Sequence, residues 1–190
     1  MVRLPLCIAA WLALVGATVV RADDHPYAKV RVGDYATYAV QMKVGELTLQ
    51  GTTTQTVTAR TDKEVTVKIT GKIQFMGNEQ PIPPQEQKID LTQPYDPTRF
   101  SGPLPMGAQV QVDKGKEGKE KVSLAGKSYN CTWTEYKVNT KAAGVAFEAN
   151  VKVWMSPEVP LGMVKMSMTS NQGPQKMQMT MELKETGQNK

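Results

Sequence analysis

The sequence predicts an all-β fold of about nine or ten mostly antiparallel strands in a curved single sheet, half-barrel or barrel, with little helix. Three observations carry this. Apolar residues recur at every second position in run after run, the period of a strand with one buried face. No segment shows a convincing 3.6-residue period. Short breaks rich in glycine separate the runs, which favours sequential hairpins.

The first segment, MVRLPLCIAAWLALVGATVVRA, lies outside this pattern and reads as a signal peptide over residues 1–22. Arg3 supplies the positive start, Leu4 to Val20 the apolar centre, and Ala22 a small residue for cleavage before Asp23, with Ala17 nearly as good a site. The protein is therefore expected to be exported, periplasmic or extracellular, with no stable membrane span after cleavage. About 168 residues then remain, enough for one domain with its own core. Residues 23–33 are expected to form an N-terminal tail, 34–185 a single β domain, and 186–190 a C-terminal tail.

The strands follow in order. Ala36, Tyr38, Val40, Met42 and Val44 alternate, and Gly45-Glu46 turns the chain into a threonine-rich run ending near Arg60. Val65, Val67, Ile69, Ile73 and Phe75 repeat the pattern, with Gly71 marking a bulge or bend. Gly77-Asn78 is a turn signal, and Ile89 and Leu91 mark a shorter strand. A proline-rich connection near 81–107 is expected to be irregular, because proline cannot donate to a ladder. Strands resume at Val110 and Val112 and again at Val122 and Leu124; the run KGKEGKEK between them reads as a solvated hairpin tip. Ala125-Gly126-Lys127 turns into Tyr129, Cys131 and Trp133, and Val145 to Met155 is the cleanest alternation in the chain. In WMSPEVPLGMVKM, Pro157, Pro160 and Gly162 form a corner between two strands, with Trp154 on the face opposite Val153 and Met155, over the proline segment or at a rim. Two methionine-rich strands, through Met166 and Met168 and through Met177, Met179 and Met181, close the chain.

Composition excludes several functions. Loss of Arg3 and Arg21 with the signal peptide leaves 21 basic against 18 acidic residues, a mild and dispersed excess. No aromatic residues are interleaved with arginines, so no nucleic-acid partner is expected. Cys7 leaves with the signal peptide, and Cys131 alone allows no internal disulfide. Alternating with Tyr129 and Trp133, it reads as a buried, inert strand residue. Asn130-Cys131-Thr132 matches a glycosylation sequon, but inside a strand it is a poor acceptor. The single histidine, His25, sits at the mature start, so no Ser-His or Cys-His pair is evident, and Asp34, Asp62, Asp90 and Asp96 occupy turns or strand edges. No phosphate loop, dinucleotide turn or zinc spacing appears. The protein is not expected to be an enzyme, and no cofactor is expected.

Two features point to copper. A mature start of Asp23-Asp24-His25 would offer an amine, two backbone amides and an imidazole in the square-planar set that Cu(II) or Ni(II) prefers. Met177, Met179 and Met181, with Met166 and Met168 on the neighbouring strand, are soft thioethers suited to Cu(I), although methionine also fills irregular cores.

The strand ending in VKVWMS, its proline-containing turn and the following VKMSM resemble the late hairpin of the periplasmic lipoprotein-carrier superfamily, and the preceding GKSYNCTWTEYKV is similar in layout. The resemblance runs from Gly126 to Met181. It implies a half-open antiparallel sheet whose concave face takes up acyl chains, and it assigns no residue roles.

Geometry leads to a related expectation. A sheet with one apolar face and no helices either fills its interior with its own side chains or shelters a groove for an apolar ligand. The leading expectation is a non-catalytic envelope binding protein whose ligand, a lipid or other apolar molecule, meets Phe147, Val153, Met155, Met166, Met168 and Met179. A structural or protein-interaction module of the envelope is the second reading, and a copper-binding protein the third.

Overall fold

The computed structural model describes residues 25–75, 77–93, 95, 109–142, 145–172 and 175–189. They form nine strands: β1 Asp34–Val44, β2 Leu47–Arg60, β3 Glu64–Phe75, β4 Asn78–Asp90, β5 Gln109–Leu124, β6 Lys127–Ala142, β7 Val145–Met155, β8 Met163–Gln172 and β9 Gln175–Gln188. All nine belong to one sheet, in the order β4-β3-β2-β1-β9-β8-β7-β6-β5. The described residues contain no helix.

The two chain ends meet in the middle of this sheet. β1 pairs with β9, and one meander leaves each of them toward an edge. Every neighbouring pair is antiparallel, so the edges β4 and β5 run in the same direction. The sheet is curled and does not close. β5 and β9 have Cα atoms within 8 Å of each other, although a flat sheet would hold strands four places apart at about 19 Å. On the other side of β1, glycines relieve the curvature. A Cβ at Gly71 would lie 2.6 Å from the Thr52 carbonyl oxygen, and one at Gly51 would strike that of Lys72. The bulge suggested by Gly71 is present, as a register shift between Ile69 and Gly71.

Both edges depart from the sequence reading. β4 runs through Pro81, Pro83 and Pro84, where an irregular connection was expected. Proline is tolerated there because an edge strand has one row of N–H groups with nothing to pair, and Pro83-Pro84 falls inside the register shift. KGKEGKEK is no hairpin tip but the middle of β5, a continuous strand with a bulge between Lys114 and Glu117. The turn lies further on, at Ala125 and Gly126, whose φ angles of 50° and 74° suit a tight hairpin. Lysines on one open edge and prolines on the other discourage pairing with a second sheet.

The apolar cluster lies toward one end. Tyr38, Val57, Val65, Val67, Val153, Val164, Met166 and Leu183 are buried on the strands there. Two segments outside the strands seal it. Residues 25–33 were expected to be a tail, yet Tyr27 and Val30 are fully buried. Arg60 holds this segment with two donated bonds of 2.6 Å, to the carbonyls of Ala28 and Val30. Gly33 N–H donates to Val57 at 2.9 Å, and Asn189 N–H donates back to Gly33 at 2.9 Å. The last strand accordingly runs on to Gln188, past the expected boundary at 185.

The second seal is the Ser156–Gly162 corner. Ser156 N–H donates to Gly162 at 2.8 Å, Gly162 N–H donates to Val159 at 2.9 Å, and Val159 and Leu161 are buried. Gly162 has a φ of 80° and faces Met155 and Pro26, so a side chain there would meet both strain and collision.

Candidate functional site

Strand register divides the apolar face into rows. Val153, Met166, Met181, Val40 and Gly51 are paired in sequence across β7, β8, β9, β1 and β2. Two residues nearer the far end, Val151, Met168, Met179, Met42 and Leu49 form the next row. The last row is Ala149, Ser170, Met177, Val44 and Leu47.

Exposure rises from row to row on the β9–β1–β2 side. In the first row Met181 is 6 % exposed, beside Val153 and Met166 of β7 and β8 at 2 % each, while Val40 and Gly51 are half-buried. Met168 and Met179 are half-buried and pack on the edge of the core cluster. Met42, Val44, Leu49 and Met177 are half-buried and lie beyond that cluster, and Leu47 is 44 % exposed. On β9, β1 and β2 the face thus passes from a filled core to an apolar surface without a change of side-chain chemistry, while Ala149 and Ser170 of the last row are buried on β7 and β8.

The ligand residues named from the sequence therefore fall in different environments. Val153 and Met166 are paired core residues. Met155 is half-buried at the sealed end, beside Gly162. Met168 and Met179 are paired on the open row. Phe147 pairs with Thr140 through its backbone, and its side chain lies outside the described residues. Met42, Val44 and Leu49 join this surface and were not singled out. Their alternation was visible, but only the long-range register Met42↔Met179 and Val44↔Met177 places them beside the methionines.

The two candidate copper sites are separate in the fold. Asp23 and Asp24 lie outside the described residues. His25 is buried at the sealed end, far along the strands from the methionine rows. Its Nδ1 accepts the Tyr27 N–H at 3.2 Å, and its ring packs against Tyr27 and edge-on to Tyr95, with centroids 5.8 and 5.7 Å away. Burial pulls its pKa below the ordinary value, and the nearby Asp90 carboxylate opposes that shift. Among the described residues no three His, Cys, Asp or Glu side chains group as metal ligands.

Other reactive groups are subdued. Burial pushes the Cys131 thiol up, assisted by Glu120 and Glu158, which keeps it protonated and unreactive. Tyr38 is likewise raised by burial, and its hydroxyl donates to the Met163 carbonyl at 3.2 Å. Gln55, 2 % exposed on the apolar face of β2, has a carbonyl oxygen with no hydrogen-bond partner.

The opposite face carries Tyr129, Cys131, Trp133 and Trp154 on β6 and β7 beside charged and polar residues. Trp154 does lie opposite Val153, but it is 8 % exposed and packs beside its cross-strand partner Trp133. Its indole N–H donates to Glu120 at 2.6 Å. Lys152 caps the Trp133 ring at 3.8 Å, and Gly118 leaves room for that ring on β5. A shallow groove of about 490 Å³ spans β5 to β8 on this side, lined by Asp113, Glu135, Lys137, Asn150, Lys152 and Thr169. Its lysines are engaged, Lys137 with Glu148 at 3.3 Å and Lys152 with Glu135 at 4.0 Å.

No protein-family model and no curated protein sequence matches the chain. Two solved structures are similar in shape. One is a Bacteroides fragilis protein assigned as exported, with a YmcC-like fold; it has a TM-score of 0.49 and 11 % identity over 84 % of this chain and 97 % of that one. The other is a Parabacteroides distasonis protein assigned as a lipoprotein, with a TM-score of 0.45 and 10 % identity over 83 % and 97 % of the two chains. Neither is described as a lipoprotein carrier, and similarity this loose transfers no residue role.

Proposed function

We propose that the protein is an exported, non-catalytic binding protein of the cell envelope that holds an apolar chain against Met42, Met168, Met177 and Met179. Export rests on the Arg3-led apolar segment that precedes the domain. Binding rests on one observation: the apolar face continues past its sealed core into a half-buried methionine surface with no change in residue type. Burying such a surface is favourable by about 25 cal/mol per Å², and unbranched, polarisable methionines adapt to a flexible chain.

The test is binding of N-phenylnaphthylamine or a fluorescent fatty acid to wild type and to Met179→Lys. A charge set in this row should weaken binding at least about tenfold, since an unpaired ammonium cannot be desolvated cheaply. Met179 is half-buried, so the variant should still fold, and its melting curve shows whether it does. Dye binding that is equal in both proteins would remove the site.

A further inference from the structure

We propose that the open end of the sheet, formed by the β1–β2 hairpin tip and the start of β9, is a docking surface for anionic lipid membranes. The proposal rests on the export half of the reading above and adds a source from which an apolar ligand would load. Its first support is the two-sided chemistry of the tip. Val44, Leu47 and Met177 are register neighbours on the apolar face, and Leu47 is one of two large apolar residues exposed among those described. Lys43 and Lys176 stand on the other face of the same two strands. Lys43 is paired with Gln178, two residues beyond Lys176, and Gly45 N–H donates to the Lys176 carbonyl at 3.3 Å. An apolar side backed by cations is how an element lies in a membrane interface, with carbon toward the acyl boundary and charge among the headgroups.

The second support is charge that the fold leaves unused. Like charges on neighbouring strands repel, and a sheet ordinarily answers them with acids across the ladder. In several places this one does so: Lys72 pairs with Glu79, Lys88 with Glu64 and Lys165 with Glu182, at 2.8, 3.1 and 2.7 Å. Lys43 and Lys176 are exposed and have no such partner among the described residues. The lysines of β5 have a use in guarding an open edge; these two lie on paired strands next to the exposed apolar tip. Glu46, at the turn itself, is an exposed acid on the tip and opposes docking to an anionic surface.

Co-sedimentation with vesicles tests this on the protein purified from an exporting host. Vesicles of phosphatidylglycerol and phosphatidylcholine should bind it, and vesicles of phosphatidylcholine alone should bind it far less. Each lysine contributes about fivefold to partitioning onto an anionic surface, so Lys43→Gln with Lys176→Gln should lose roughly 25-fold. Glu46→Gln should strengthen docking. N-phenylnaphthylamine binding in free solution should be unchanged in both variants, because the substituted side chains face away from the methionine row or stand at the turn. Wild-type binding that ignores phosphatidylglycerol, or a double variant that docks like wild type, overturns the proposal. Lysine-dependent docking without any dye binding would instead sustain the docking surface and refute the ligand site.

Discussion

Met166 and Met168 stand two residues apart on the same face of β8, yet Met166 is 2 % exposed and Met168 is half-buried. The strand does not differ between them; what covers it does. Over the Met166 end, residues 25–33 and the Ser156–Gly162 corner supply Tyr27, Val30, Val159 and Leu161, all buried. The contrast continues on β9, β1 and β2, where Met177, Val44 and Leu49 are half-buried and Leu47 is exposed, whereas Ala149 and Ser170 at the far ends of β7 and β8 are buried again. A curled sheet that does not close cannot bury its whole apolar face by itself, so cover must come from the chain or from something else. The two ends of one face show both cases, and this contrast is why a methionine row that reads as ordinary core becomes a candidate surface.

The largest effect that separates the two ends is the cost of removing a side chain. Leu161→Ala in the sealed corner should cost about 2–5 kcal/mol, the range for emptying a packed site, whereas Met179→Ala should cost less than about 1.5 kcal/mol because solvent already reaches it. Urea unfolding of both variants measures the difference. Equal costs would mean that the open end is packed as tightly as the sealed one.

A smaller effect sharpens the account of the seal. His25 is buried as neutral imidazole, and burial lowers its folded pKa below 6.5. As pH falls, the unfolded chain takes up a proton first, so the stabilising contribution is complete above that value and is lost as pH falls through the depressed folded pKa. Wild type should therefore lose more thermal stability between about pH 7.5 and 5 than His25→Phe, which cannot titrate. Parallel losses would separate the seal from this residue.

Much of the fold was legible because alternation is a local signal: the pattern in Val145–Met155 or Ala36–Val44 needs no knowledge of neighbours. Gly71 announced its bulge for the same reason. What was misread depends on position within the sheet. Pro81, Pro83, Pro84 and the lysines of β5 look like connections until β4 and β5 are known to be edges, where both residue types are at home. Residues 25–30 looked like a tail because their partners, Asp90 and Tyr95 for His25 and Tyr27 and Arg60 for Ala28 and Val30, are distant in sequence. The site was half-legible. Met168 and Met179 were singled out with Val153 and Met166, but the boundary between core and surface falls between those pairs. It is set by the β1–β9 register and by the seal, neither of which has a local signature.

The most direct measurement is a methyl spectrum of the protein carrying ¹³C-labelled methionine, recorded as a saturated fatty acid is added. Met42, Met168, Met177 and Met179 should shift together and saturate at one concentration, while Met163 and Met166 stay in place. A spectrum in which none of the four moves, or in which the buried pair moves instead, would contradict the claim that the open end of this sheet is where the protein binds.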